Sequence, residues 1–217
     1  SFYLEGNASS KFQVSGGNRV VKSDTPAEFN FIGPKEITST SSGALVFEEF
    51  VTVNLSDAVD FGINEVTTIN GTLQINTGGY AHNHAPWYGP QGVLKYNTGS
   101  NPYLRRVEWS GTEGTAGYPN DVIVAGNTVL NPGGDPINPN TGTDFGARRD
   151  VTIEAGSAIY MDYGSNDMTV PLKVGRNLTI NGSLSASDVY GGDIHVGGNW
   201  VRNAGGIFNP KNRQVLF

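Results

Sequence analysis

Leu172–Val201, LKVGRNLTINGSLSASDVYGGDIHVGGNWV, is the stretch whose reading decides the fold. Leu178 and Ile180 alternate with polar residues, Gly182 interrupts, and Leu184 resumes the alternation. Ile194, Val196, Gly198 and Trp200 then repeat the phrase. Successive side chains on a strand point to opposite faces, so each phrase sets two apolar residues on one side. The glycine allows a sharp bend before the next short run. Two such phrases in tandem describe a repeated coil.

Further copies lie outward from this stretch. Val66–Ile75 reads VTTINGTLQI, with Ile69, Gly71 and Leu73 matching Ile180, Gly182 and Leu184. Val122–Val129 reads VIVAGNTV, and Val151–Ile159 reads VTIEAGSAI with one more residue before its glycine. The intervals between copies are unequal, which loops of varying length leaving a constant coil explain. Short self-similar strands with insertions between them predict a solenoid, each coil burying its apolar face on its neighbours. The expected fold is therefore an all-β, right-handed parallel β-helix forming one unit over residues 1–217. A β-sandwich is the alternative, and the Asn70-Gly71 pair, a good hairpin turn, is its main support.

Composition agrees. Charged residues make up 16% of the 217 residues and there are 30 glycines, a balance that disfavours helices. The net charge of −6 argues against a nucleic-acid surface, and no run is long and apolar enough to insert in a bilayer. There is no cysteine, which leaves the compartment open. The sequons at Asn7, Asn54, Asn70, Asn177 and Asn181 are what chance gives in an Asn-rich chain. Neither end shows the polar cap an exposed coil needs, so the sequence reads as a piece of a longer array.

Two segments break the pattern. Gly78–Gly92, GGYAHNHAPWYGPQG, has no periodicity and predicts a loop projecting from the coil; residues 131–149, rich in Pro, Gly, Asn and Asp, predict another. Between them, Tyr103–Trp109 predicts a strand with Tyr103, Arg105, Val107 and Trp109 on one face and Leu104, Arg106 and Glu108 on the other.

The order of phrases resembles the β-solenoid segments of large surface adhesins that gliding and related Bacteroidota export through the type IX system. The matching features are GVLKYNTG at Gly92–Gly99, YLRRVEW at Tyr103–Trp109 and the Pro-Asn-x-Val-x-Val step at Pro119–Val124. VTIEAGSAI, NLTINGSL and GGNWVRNAGGIF follow in that order, and the likeness covers about Val66 to Phe217. It implies a stalk or adhesive module at the bacterial cell surface. Its implied partners are surface glycans or other extracellular ligands, flanking repeats of the same polypeptide, and the secretion machinery during export. It carries over no catalytic residue, and the C-terminal export signal such proteins bear is not among these residues.

The candidate ligand contacts are Tyr80, His82, His84, Trp87 and Tyr88. His82-x-His84 could set two imidazoles on one side of an extended segment, though a metal would need a third ligand from elsewhere. Asp57, Asp60 and Glu65 are the nearest acids, at no telling spacing, and two histidines in such a loop are ordinarily surface residues. Trp87-Tyr88 could stack against a sugar ring; the preferred alternative is that Trp87 folds back to plug the coil. Asp162, Asn166 and Asp167 could hold a calcium ion weakly, the one cofactor left open, although solvated turn residues are the preferred explanation. An enzyme reading, as a polysaccharide lyase or hydrolase, needs converging carboxylates and a basic residue. Arg148-Arg149-Asp150 with Asp162 is the only such set, and nothing in its spacing brings it together. The expectation is a non-catalytic module.

Overall fold

A computed structural model describes residues 1–7, 10–39, 43–63, 66–110, 112–133 and 145–217. The chain winds as a parallel β-solenoid around one long sheet of nine strands. These are Phe2–Glu5, Ala27–Ile32, Val51–Leu55, Thr72–Asn76, Val93–Asn97, Asp121–Val124, Val151–Ile153, Leu178–Ile180 and Trp200–Arg202. Every pairing within the long sheet is parallel, which disposes of the β-sandwich alternative. The sole antiparallel pair among the described residues is a small hairpin, Asp162–Tyr163 with Asn166–Asp167.

Alternation along these strands produces rows that run along the coil. Phe29, Val53, Leu73, Leu94, Val122, Val151 and Leu178 stack in register, and two residues on so do Phe31, Leu55, Ile75, Tyr96, Val124, Ile153 and Ile180. All are buried. Each rung covers the apolar face of the last, so one core runs the length of the molecule.

The Asn70-Gly71 pair is a corner, not a hairpin: Thr67–Ile69 and Thr72–Asn76 belong to different sheets. A Cβ on Gly71 would lie 2.2 Å from the Val51 carbonyl oxygen, and one on Gly182 would lie 2.1 Å from that of Ser157. The glycine of the repeated phrase thus permits close approach to the preceding rung.

Polar rows tie the outside together. Asn54 donates to Asn30 (3.0 Å), Gln74 to Asn54 (3.0 Å) and Asn97 to Asn76 (3.2 Å). At the entry corner of the long sheet, Asp121 accepts from the backbone of Asp150 (3.1 Å), Asp150 from that of Asn177 (3.0 Å), and Asn177 from that of Asn199 (3.2 Å). Arg149 pairs with Asp121 and Arg176 with Asp150, each guanidinium bracing the rung before it.

The other sides of the coil change partway. In the N-terminal half they are two sheets, Lys11–Val14, Lys35–Ser39, Ala58–Asp60 and Tyr80–Ala81, then Arg19–Val21, Leu45–Phe47, Thr67–Ile69 and Trp87–Tyr88. In the C-terminal half they are Pro102–Leu104, Val129–Asn131, Ala158–Tyr160, Ser183–Ser185 and Ile207–Asn209, then Phe145–Ala147, Leu172–Val174, Ile194–Val196 and Val215–Leu216. Between the halves lies a 3-10 turn, Val107–Trp109.

Two expectations are corrected here. Gly78–Gly92 is a rung of the coil and not a projecting loop, since Tyr80–Ala81 pairs with Ala58–Val59 and Trp87–Tyr88 with Thr68–Ile69. Its short strands, separated by tight corners, left no periodicity to read. Tyr103–Trp109 is not one strand: it ends at Leu104, and Arg105 and Glu108 are both buried. Of the loop expected at 131–149, residues 134–144 lie outside the described residues, while Phe145–Ala147 is a strand.

Candidate functional site

Where the N-terminal sheets end, two neighbouring features gather the expected site residues: an outer cleft and a buried carboxyl. The cleft has a volume of about 440 Å³ and is lined by Lys35, Glu36, Asp60, His82, Asn83 and His84 among others. Parallel stacking builds it. The His82 amide bonds to the Val59 carbonyl (2.8 Å), and the next residues bring His84 over Asp60.

Asp60 is nearly buried and holds the cleft together. It accepts from the Gly62 amide (2.9 Å) and Asn83 Nδ2 (3.1 Å), and its Oδ1 lies 2.9 Å from His84 Nδ1. A carboxylate can only accept, so Nδ1 carries a proton, and in the neutral ring Nε2 is the acceptor. Asn83 takes a left-handed backbone (φ 58°), a conformation Asn tolerates, to turn its side chain onto Asp60. Lys35 rests its ammonium on the Ile32 (3.0 Å) and Pro34 (3.3 Å) carbonyls, and burial lowers its pKa against the opposing pull of Asp57 and Glu5. Glu36 pairs with Lys11 (3.1 Å). The cleft therefore offers acceptors, donors and an oriented imidazole in a volume of small-molecule size.

Glu108 is fully buried on the inner side. Its carboxylate accepts from the Arg106 amide (2.8 Å), Tyr103 (3.1 Å), Tyr96 (3.3 Å) and the Ala81 amide (3.3 Å). Ala81 belongs to the last strand of its sheet, so the side chain supplies an acceptor where no further strand does. Tyr88 ends the inward row Val21, Phe47, Ile69, Tyr88 and donates to the Glu108 carbonyl (2.8 Å). Trp109 reaches forward, donating to the Gly146 carbonyl (2.8 Å) and packing on Phe145 at 4.5 Å. One turn thus closes both early sheets and anchors a later one. Burial raises the Glu108 pKa, opposed by its hydrogen bonds, and burial together with the Glu108 charge raises those of Tyr88, Tyr96 and Tyr103 well above the ordinary phenol.

The expected contacts therefore divide. His82 and His84 line the cleft, with Tyr80 beside His82 at 6.0 Å between rings and under the Arg106 guanidinium at 5.2 Å. Trp87 is half-buried on the outer face of the next sheet and does not line the cleft. Tyr88 is core, so it is Tyr88 and not Trp87 that fills the coil. No sequence pattern marks Asp60 as the partner of His84: the register of Ala58–Val59 with Tyr80–Ala81 sets His82 opposite Asp60, and the turn through Asn83 brings His84 onto it instead.

The other sets have structural partners. Arg149 and Asp150 serve the corner row, while Asp162 meets Lys211 (2.8 Å), which also reaches Asp188 (3.5 Å). The cation facing Asp162 is thus an ammonium, although Asp162 and Asp167 do stand opposite each other in the hairpin. Among the described residues, no three His, Cys, Asp or Glu side chains are grouped to hold a metal, and no helix is long and apolar enough to cross a membrane. No family model, curated protein or solved structure matches the chain.

Proposed function

We propose that the chain is a non-catalytic attachment module of a bacterial cell-surface protein, a rigid solenoid stalk that contacts surface glycans or other extracellular ligands. The observation that carries this reading is the commitment of the outer polar residues to rung-to-rung bonds. The Asn30–Asn54–Gln74 row and the Asp121–Asp150–Asn177–Asn199 row both spend their hydrogen bonds on neighbouring coils. Such rows stiffen a rod. Recognition falls to the His82–His84 cleft, where polar groups converge without completing a row, and to Trp87 on the outer face of the next sheet. The reading calls for no cofactor. Exported as part of a longer polypeptide, the module would stack on flanking repeats, and neither nucleic acid nor bilayer is among its partners.

The experiment is binding to arrayed glycans and to cells by the wild type and by His82→Ala/His84→Ala. Loss of binding at an unchanged unfolding temperature supports the cleft as the contact, whereas wild-type binding by the variant removes the cleft from the reading.

The second reading, a carbohydrate-active enzyme, is favoured by one contact. The Asp60–His84 contact orients the imidazole by Nδ1, the arrangement in which the neutral ring presents Nε2 as a general base. Product analysis on polysaccharides separates the two readings.

A further inference from the structure

The His82–His84 cleft opens on the outer face of the sheet that contains Lys35–Ser39, Ala58–Asp60 and Tyr80–Ala81. Alternation decides what that face shows. Val59 is buried and pairs in register with Lys35, so Ala58 and Asp60 on either side of it point outward, as do Pro34 and Glu36 on the rung before. Glu36 pairs with Asp60 in the same register. Beyond Asp60 the chain turns through Gly62 to Ile63, an aliphatic side chain left 64% exposed at the cleft.

Lys35, Glu36 and Asp60 line this cleft, and each already has its partners. The Lys35 ammonium has three N–H donors, and the carbonyls of Ile32 (3.0 Å), Pro34 (3.3 Å) and Gly33 (3.5 Å) surround it. Asp60 accepts from the Gly62 amide, Asn83 and His84, and Glu36 faces Lys11. A charged ligand would have to take a partner from one of these groups, and a nearly buried group left unmet is costly. What remains for a ligand, among the described residues, is hydrogen-bonding capacity on the His82 ring, the Asn83 carboxamide oxygen and His84 Nε2. Beside it lies apolar surface on Pro34, Ala58 and Ile63.

We infer that the cleft selects an uncharged sugar residue of a neutral polysaccharide, and that polyuronates and polyamines are rejected. A pyranose suits both parts of the lining. Its C–H face is apolar and can rest on the Ile63 side chain, while its hydroxyls each donate and accept. A hydroxyl therefore satisfies an imidazole nitrogen whether or not that nitrogen holds a proton, and it can donate to the Asn83 oxygen. The volume of about 440 Å³ lies within the range of small-molecule sites. The inference rests on the attachment reading and narrows it to one class of ligand.

The test measures binding of four neutral polymers (dextran, mannan, galactan and xylan), of polygalacturonate and of chitosan. The proteins are the wild type, Ile63→Ser and His82→Ala/His84→Ala, with unfolding temperatures for all. Expected is wild-type binding to at least one neutral polymer, little changed by added salt, and none to polygalacturonate or chitosan. Ile63→Ser should lose about tenfold or more, equal to ~1.4 kcal/mol, at an unfolding temperature within a few degrees of the wild type, because the side chain it replaces is exposed. If that variant is destabilised, Ile63→Thr must show the loss instead. Polygalacturonate or chitosan bound as tightly as any neutral polymer, or undiminished neutral binding by folded Ile63→Ser, overturns the inference and leaves the attachment reading standing. Wild-type binding by His82→Ala/His84→Ala overturns the inference and removes the cleft from that reading. No wild-type binding to any polymer also overturns the inference, and the attachment reading falls with it only if cells go unbound as well.

Discussion

Trp87 and Tyr88 are adjacent aromatics with opposite fates, and alternation on a strand is the reason. Tyr88 is 1% exposed and ends an inward row, with its hydroxyl bonded to the Glu108 carbonyl. Tyr88→Ala should cost about 3–5 kcal/mol, the range for truncating a buried aromatic. Trp87→Ala should cost about 1 kcal/mol or less, within the ordinary run of substitutions outside the core. Chemical denaturation of both variants checks this; equal costs would mean that the inward and outward assignment is wrong. Glu108 makes a second demand. Its carboxylate is met by donors alone, so the amide nitrogen of Glu108→Gln would face N–H or O–H groups, at a cost of about 1–3 kcal/mol. Tyr88, Tyr96 and Tyr103 are all held above the ordinary phenol pKa, first by burial. Their contribution to stability is complete below that ordinary value and disappears as pH rises from it through the higher folded values. Following phenolate absorbance against pH, these three of the nine tyrosines should ionise only together with loss of structure. Smooth titration of all nine in folded protein would contradict the buried cluster.

Among elements, the corner row from Asp121 to Asn199 is the most informative. Arg176 is the main cause of the lowered Asp150 pKa, followed by burial acting against it and the Asn177 amide acting with it. A depressed folded value means that the contribution is present above the ordinary aspartate range and lost as pH falls through the folded pKa. In Asp150→Asn, the urea midpoint should therefore fall less between neutral and strongly acidic pH than in the wild type. A variant with the same acid dependence would show that the row contributes nothing through charge. This row also marks the limit of what the sequence discloses. Leu178/Ile180 and Ile194/Val196 announce their inward faces by alternation, and Gly71 and Gly182 announce corners by recurring in the same phrase. Arg149 pairing with Asp121, or His84 with Asp60, depends on how many residues each coil spends in its corners, and no local pattern records that number. Gly78–Gly92 hid for the same reason, its strands Tyr80–Ala81 and Trp87–Tyr88 being too short to show a period. At Tyr103–Trp109 the alternation itself misled, because the backbone leaves the strand after Leu104 and the 3-10 turn carries Glu108 inward.

On the scale of the whole molecule, one continuous core and several polar rows make a rod whose sides differ. The His82–His84 cleft belongs to the early coils. Glu108 and Trp109 join the two halves, so the exchange of sheets leaves the long sheet uninterrupted. Outer contacts can vary on this architecture without disturbing the inward rows. The central claim is that polysaccharides are bound and not broken. Its most direct test is prolonged incubation of the wild type with a panel of acidic and neutral polysaccharides, followed by assays for reducing ends and for unsaturated products. The account predicts ligand recovered intact, including any that binds; new reducing ends or unsaturated sugars that disappear in His84→Ala would contradict it and establish the Asp60–His84 pair as catalytic machinery.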